Sequence, residues 1–203
     1  MIYLSGSLRP ELVHPRLGWM LTPEMGQMPP EHGWWAADNG CYSHPEAFTW
    51  EKYERWLMRA QTEAGDRMLF ATAPDVPFDM DGTLSRFDEY RGRMREAVPR
   101  VALVSQDGMH PEDVPWNDID ALFVGGTTEW KTGQDSAAIC AAARQRGLWV
   151  HMGRVNSEQR IKAAQTMGCD SADGTFLKYG PDVLWPRLRH WLTITGNQPT
   201  FVL

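Results

Sequence analysis

The chain has 203 residues, 42% of them hydrophobic and 23% charged, which is long enough to bury one sizeable core and favours one domain over two. Its 20 Lys and Arg stand against 26 Asp and Glu, a formal net charge of -6; this excludes coating of nucleic acid by bulk electrostatics but leaves room for a local basic groove. Cys41, Cys140 and Cys169 form neither a disulfide framework nor a C-x-x-C metal knuckle, the start Met1–Ser5 lacks a basic n-region, and no apolar stretch nears the roughly 20 residues of a bilayer span, so a soluble cytoplasmic protein without a membrane partner is expected.

In chain order, eight short apolar runs read as strands: residues 2–4, 17–21, 34–37, 68–73, 101–105, 121–124, 148–152 and 169–172. Runs of four to six apolar residues without strict alternation suit parallel strands buried on both faces. The first three carry the weakest signal, because residues 9–33 are rich in Pro, Met and Gly and could be mostly loop. Helices fall between the later runs. Pro45 and Glu46 open one whose Phe48, Tyr53, Trp56, Leu57 and Ala60 recur at helical spacing up to Gly65. Ser85 caps a second, with Asp88 three residues on and Pro99 at its end. Residues 136–146 form a third that stops at Gly147. Asn156 or Ser157 starts a fourth that stops at Gly168, and Pro181 opens a fifth.

Strand and helix alternating in this way implies parallel pairing through right-handed crossovers. Eight strands favour closure into a compact TIM-like (β/α)8 barrel, with an open doubly wound parallel sheet as the alternative. The expected organisation is a single catalytic barrel over residues 1–195 and a simple tail over 196–203.

Four of the runs end in polar or glycine signatures: Asp38-Asn39-Gly40, Pro74-Asp75-Val76, Gln106-Asp107-Gly108 and Gly125-Gly126-Thr127. A β/α barrel builds its active site from the C-terminal ends of several strands, so such placement points to one pocket and to an enzyme. A Gln at a strand end can pair with a planar ring through a donor and an acceptor. Paired glycines let a ligand approach backbone N–H groups. Asp170 and Asp173 point to opposite faces of the last strand, which leaves Asp173 as the one at the strand end. Ten Trp are many for this length, and Trp34, Trp35, Trp116 and Trp130 stand outside any regular stripe. They read either as core packing or as stacking surfaces for a nucleobase.

The order of these signatures resembles the tRNA-guanine transglycosylase (queuine tRNA-ribosyltransferase) superfamily, which includes phage and bacterial enzymes that place 7-deazaguanines in DNA. Asp38-Asn39-Gly40-Cys41-Tyr42 is similar to the family's Asp-Ser-Gly-Gly-Tyr, Pro74-Asp75-Val76 to its Phe-Asp-Glu-Cys, and Gln106-Asp107-Gly108 to its Gln-Gly-Gly. Gly125-Gly126-Thr127-Thr128-Glu129 resembles Gly-Gly-Leu-Ala-Val-Gly-Glu, His151-Met152-Gly153-Arg154-Val155 resembles Leu-Met-Gly-Val-Gly, and residues 168–174 resemble Gly-Ile-Asp-Met-Phe-Asp-Cys. The resemblance covers about residues 34–180. It implies a β/α barrel in which Asp173 is the nucleophile and Asp38 the general acid/base, with Asp75 recognising the guanine edge. It implies further substrate contacts at Gln106, Gly125, Gly126, Met152 and Gly153; a base extruded from the stack would be held by Trp130, Trp116 or Tyr42.

The family's C-terminal zinc site of three Cys and one His is absent from this sequence, and Gly174-Thr175-Phe176-Leu177-Lys178 replaces its arginine-containing segment. Both departures remove surface that holds a tRNA anticodon arm. The expectation is therefore a minimal transferase, a pentosyltransferase that exchanges guanine in DNA for a preQ0- or preQ1-like 7-deazaguanine without metal or other cofactor. The need for a homodimer or a partner protein is left open. The alternatives are an N-glycoside hydrolase using the same carboxylates and a non-catalytic nucleic-acid or partner-binding relative.

Overall fold

A computed structural model of the chain describes residues 1–7, 9–43 and 45–194; the expected tail over 196–203 lies outside them. Eight parallel strands close into a barrel in sequence order: β1 (Ile2–Ser5), β2 (Leu17–Leu21), β3 (Trp35–Ala37), β4 (Met68–Thr72), β5 (Val101–Ser105), β6 (Ala121–Val124), β7 (Trp149–Met152) and β8 (Ser171–Gly174). Closure is made by β8 pairing with β1, with Leu4 opposite Asp173 and Ser5 opposite Gly174. The open-sheet alternative is thereby set aside. The weakly signalled β2 is a full member, bridging β1 and β3 in register.

Helices surround only part of the barrel. α1 (Trp50–Ala64) joins β3 to β4, α2 (Met80–Ala97) joins β4 to β5, α3 (Thr128–Lys131) and α4 (Gln134–Gln145) join β6 to β7, α5 (Glu158–Thr166) joins β7 to β8, and α6 (Pro181–Ile194) follows β8. The β1–β2, β2–β3 and β5–β6 connections carry no α-helix among the described residues, which is how so short a chain closes eight strands. No helix of the described residues is long and apolar enough to cross a membrane.

α2 begins five residues before Ser85. Asp79 is its N-cap, its carboxylate accepting from the Gly82 N–H at 3.0 Å, so the earlier acidic residue satisfies the orphan amide and Ser85 lies inside the helix. Ser157 caps α5 by accepting from the Arg160 N–H. Gly147 and Gly168 stop their helices in the left-handed region, at φ of +73° and +77°.

Side-chain alternation divides the core in two. One cluster lies between strands and helices and includes Trp35, Leu57, Phe87, Leu122, Ile139, Met152, Ile161 and Trp191. The other fills the barrel interior with Ile2, Leu4, Met20, Ala36, Phe70, Ala102, Val104, Ala121 and Phe123, and Trp34 and Trp149 pack against it. Alternation then carries the next inward positions, Asp38 after Ala36, Gln106 after Val104 and Asp173 after Ser171, to the C-terminal end of the barrel. Two hydrogen bonds tie α1 to the barrel, one near each end: Trp35 Nε1, at the start of β3, donates to Ala64 O at 2.8 Å, and Tyr53 Oη donates to Thr72 O, at the end of β4, at 2.9 Å.

Candidate active site

The C-terminal ends of the strands enclose a cavity of about 580 Å3, within the usual range for a small-molecule site. Asp38, Tyr42, Asp75, Gln106, Gly125, Gly126 and Asp173 all line it.

Asp75 is the most tightly organised of its carboxylates. It is only 6% exposed; Asn39 Nδ2 donates to its Oδ1 at 2.9 Å and Gln106 Nε2 to its Oδ2 at 2.7 Å. Burial raises its pKa above the ordinary carboxylate value, opposed in part by the Asn39 hydrogen bond, the nearby Arg86 guanidinium and the Gln106 hydrogen bond. Asn39 is itself locked: its Nδ2 also donates to Ala73 O, its Oδ1 accepts from the Cys41 N–H, and its own N–H donates to Thr72 Oγ1. Gln106 Oε1 accepts from the backbone N–H groups of Phe78 at 2.9 Å and Gly126 at 3.1 Å. This corrects two expectations. Gln106 offers a ligand at most its remaining amide hydrogen, since its acceptor is saturated. The Gly125 and Gly126 amides are likewise engaged, on Ser105 O and Gln106 Oε1, so the two glycines serve close packing. A Cβ at Gly125 would stand 2.8 Å from Val104 Cγ1 and 2.9 Å from Ser105 O. Asp107 completes this wall by accepting from Thr127 N at 2.8 Å and Thr127 Oγ1 at 2.5 Å, which staples the ends of β5 and β6.

Asp38 has one partner in its own turn: the Gly40 N–H donates to its Oδ1 at 2.9 Å. Its carboxyl is pushed up to about 7, chiefly by burial, against the Gly40 hydrogen bond and with help from the negative charges of Asp173, Asp75 and Glu24. A carboxyl poised there can both give and take a proton near neutral pH.

Asp173 projects from β8. His151 Nε2 lies 3.0 Å from its Oδ1, and the Arg154 N–H donates to the same oxygen at 3.2 Å. Around it stand four cations that line the cavity: Lys131, Arg154, Arg160 and Lys178. Arg154 lies over the Tyr42 ring at 4.3 Å and donates to Gly126 O. Arg160 donates to Arg154 O and Thr128 Oγ1. Lys131 is 1% exposed and donates to Gly153 O at 2.6 Å; burial, then the nearby Arg154, lowers its ammonium to about 8, with Asp173 opposing.

Three residues named from the sequence lie elsewhere. Met152 points into the layer between strands and helices, because alternation turns it outward while His151 turns inward. Trp130 packs behind Gly126, where its Cε3 would be 2.8 Å from an added Cβ, and does not line the cavity. Trp116 sits in the turn before β6, at the opposite end of the barrel, under the Arg146 guanidinium at 4.6 Å. Gly153 adjoins the site without lining the cavity: a Cβ there would lie 2.6 Å from Phe123 Cε1 and 3.4 Å from Asp173 Oδ1. Conversely, Asn39, Lys131, His151, Arg154 and Arg160 are parts of the site that sequence reasoning did not assign. A lysine in a short helix and a histidine within an apolar run carry no local signal of where they point.

No family model matches the chain, and no curated protein does. Among solved structures, it is similar to a chain of the BexX/CysO complex of Amycolatopsis orientalis, at TM-score 0.50 and 16% identity over 83% of this chain and 72% of that one. A Silicibacter pomeroyi chain named for glycerophosphoryl diester phosphodiesterase gives TM-score 0.43 and 16% identity over 76% of this chain and 51% of that one. The first likeness establishes the fold alone.

Proposed function

We propose that the chain is a base-exchange transglycosylase that replaces guanine in DNA by a 7-deazaguanine through a covalent aspartyl-glycosyl intermediate. The observation that carries this reading is the Asp75 clamp. A buried carboxylate fixed by two amide donors, in one cavity with Asp38 and Asp173, offers acceptor lone pairs to the N1–H and exocyclic amine of guanine. A 7-deazaguanine presents the same edge, so one clamp serves both the leaving and the incoming base.

The chemistry closes. Asp173 Oδ2 forms a bond to the sugar C1′ as the C1′–N9 bond breaks, and guanine leaves with that electron pair and a proton from Asp38. In the return step N9 of the deazaguanine attacks C1′, its proton passes to Asp38, and the ester's electron pair returns to Asp173. The exchange requires neither a redox cofactor nor a metal. A polynucleotide is favoured over a free nucleoside by the cations of the β6–β8 side, which no ion pair joins to a carboxylate among the described residues. Elsewhere several basic side chains are paired with carboxylates, as in Arg59–Glu63, Arg91–Asp118 and Lys162–Glu158. A target in a duplex would have to leave the stack to reach the cavity.

The test is to incubate guanine-containing single-stranded DNA with a labelled deazaguanine, for the native protein and Asp173→Ala, and to analyse the nucleosides. Label in DNA with the native protein only is expected. Free guanine and abasic sites without label would identify a hydrolase, and tight binding with neither product would identify a binding relative.

A further inference from the structure

His151 and Lys131 are both buried, at 0% and 1% exposure; the His151 ring meets one oxygen of Asp173 directly, and the Lys131 ammonium reaches the same oxygen only through an intervening peptide group. Under the nucleophile runs a chain of hydrogen bonds. Trp149 Nε1 donates to Ser171 Oγ at 2.8 Å, Ser171 Oγ lies 2.8 Å from His151 Nδ1, and His151 Nε2 lies 3.0 Å from Asp173 Oδ1. An ionised Asp173 can only accept, so the hydrogen bond at Nε2 needs the ring hydrogen there, and the Ser171 hydroxyl, which accepts from the indole, keeps its own hydrogen to donate to Nδ1. The ring cannot swing away, since it packs between Phe70 and Phe123 at centroid distances of 5.1 and 4.6 Å.

The second arm is a single peptide group. Lys131 Nζ donates to Gly153 O at 2.6 Å, and the N–H of that same Gly153–Arg154 peptide donates to Asp173 Oδ1 at 3.2 Å. A cation at the carbonyl end polarises the peptide and strengthens its N–H as a donor. Arg154 accepts a φ of +59° to make this orientation, a conformation that costs a non-glycine residue about 1 kcal/mol. Among the described residues no hydrogen bond reaches Asp173 Oδ2.

We propose that His151 and Lys131 are positioning residues that clamp Asp173 by Oδ1, presenting Oδ2 to the sugar and assisting its departure from the glycosyl ester. This rests on the transglycosylase reading above. In the ester, Oδ1 is the carbonyl oxygen. Two aligned donors then stabilise the negative charge that returns to the carboxylate as the C1′–Oδ2 bond breaks, in the manner of a preorganised oxyanion site. Neither residue touches the reacting atoms.

The experiment follows the SDS-stable protein–DNA adduct in the full chain, comparing the native protein with His151→Phe, which keeps a ring in the aromatic cluster, and Lys131→Met. On addition of guanine to preformed adduct, each variant is expected to release DNA at least about tenfold more slowly, with the KM for guanine changed less than about twofold. The native release rate should fall above pH about 8, where Lys131 loses its proton, and this alkaline limb should vanish in Lys131→Met. Release within about twofold of native in both variants, or an unchanged alkaline limb, would overturn the clamp. If Lys131→Met does not fold, His151→Phe carries the kinetic arm. A native protein that forms no adduct would count against the transglycosylase reading, and the clamp is then judged by 15N NMR of the native ring. A protected His151 Nε2–H resonance that is lost in Asp173→Ala supports it, and its absence in the native protein refutes it.

Discussion

The two walls of the cavity are built on opposite principles. The β3–β5 wall is a closed network of acceptors and amides in which Asp75, Asn39 and Gln106 engage one another and the backbone. The β6–β8 wall combines a held carboxylate, Asp173, with cations lacking carboxylate partners among the described residues. The first wall is internally saturated, and under the proposed function it would read one edge of a planar base. The second carries positive charge, and under the same proposal it would meet a sugar with its phosphates. The difference teaches that a pocket in an acidic protein can carry local positive charge: net charge acts at long range, while cations that line a cavity act on what enters it.

The sharpest way to break the comparison is to remove Asp173, the nucleophile of the proposed exchange. Asp173→Ala should lower incorporation of labelled base by about 10^3-fold or more while DNA still binds in a filter assay.

Asp38 follows β3 directly, next to Asn39, and in the proposed exchange Asp38→Asn should cost about 10^2- to 10^4-fold in turnover. The two half-reactions of the native protein should also respond oppositely to pH. Release of guanine needs a protonated Asp38 and should decline as pH rises through about 7, whereas capture of the incoming base needs the ionised form and should decline below that value. Single-turnover rates for each half-reaction, measured across that range, check this. The same group should oppose folding at high pH. Its folded pKa of about 7 lies above the ordinary 3.8, so stability is fully present below 3.8 and is lost as pH rises through about 7. Asp38→Asn should therefore raise stability at pH 8 by on the order of 1–2 kcal/mol and leave it unchanged at low pH, as read by thermal melts.

On the reading wall, Asp75→Asn replaces an acceptor by a donor facing Asn39 and Gln106. Unpaired buried groups should lower use of guanine by about 10^2-fold and blunt the preference for guanine over adenine, which competition between the two bases would measure. On the other wall, Lys178→Ala and Arg160→Ala should have the smallest effects, a few-fold in DNA affinity. Each should reduce the slope of log affinity against log salt by about 1 without altering base preference. A change in base preference instead would erase the proposed division of labour.

Much of this arrangement was legible in the chain. All eight strand segments were marked by apolar runs, and the polar residues that end them, Asp38, Asp75, Gln106 and Asp173, do meet in one cavity, because the strand ends of a barrel converge. What misled was local chemistry whose partners lie far off in sequence. Gly125-Gly126 and Gln106 looked like ligand donors and acceptors, but the Gly125 N–H is taken by Ser105 O, the Gly126 N–H by Gln106 Oε1, and the Gln106 amide donates to Asp75. Trp116 and Trp130 looked like stacking platforms, yet one lies at the far end of the barrel and the other behind the wall.

The sequence by itself determined the eight strand segments and most of the helix stops, since these depend on neighbours within one turn or one pleat, although β1, β4 and β8 end one or two residues away from the apolar runs that mark them. Only the tertiary structure decided that β2 completes a closed ring despite its Pro- and Gly-rich surroundings. It alone turned His151 inward and Met152 outward, and it brought the Lys131 ammonium to the Gly153 peptide beside Asp173. The physical reason is that burial and pairing are properties of the closed barrel. A lysine or a histidine acquires its role there from groups about 20 residues away, and nothing in its own segment specifies them.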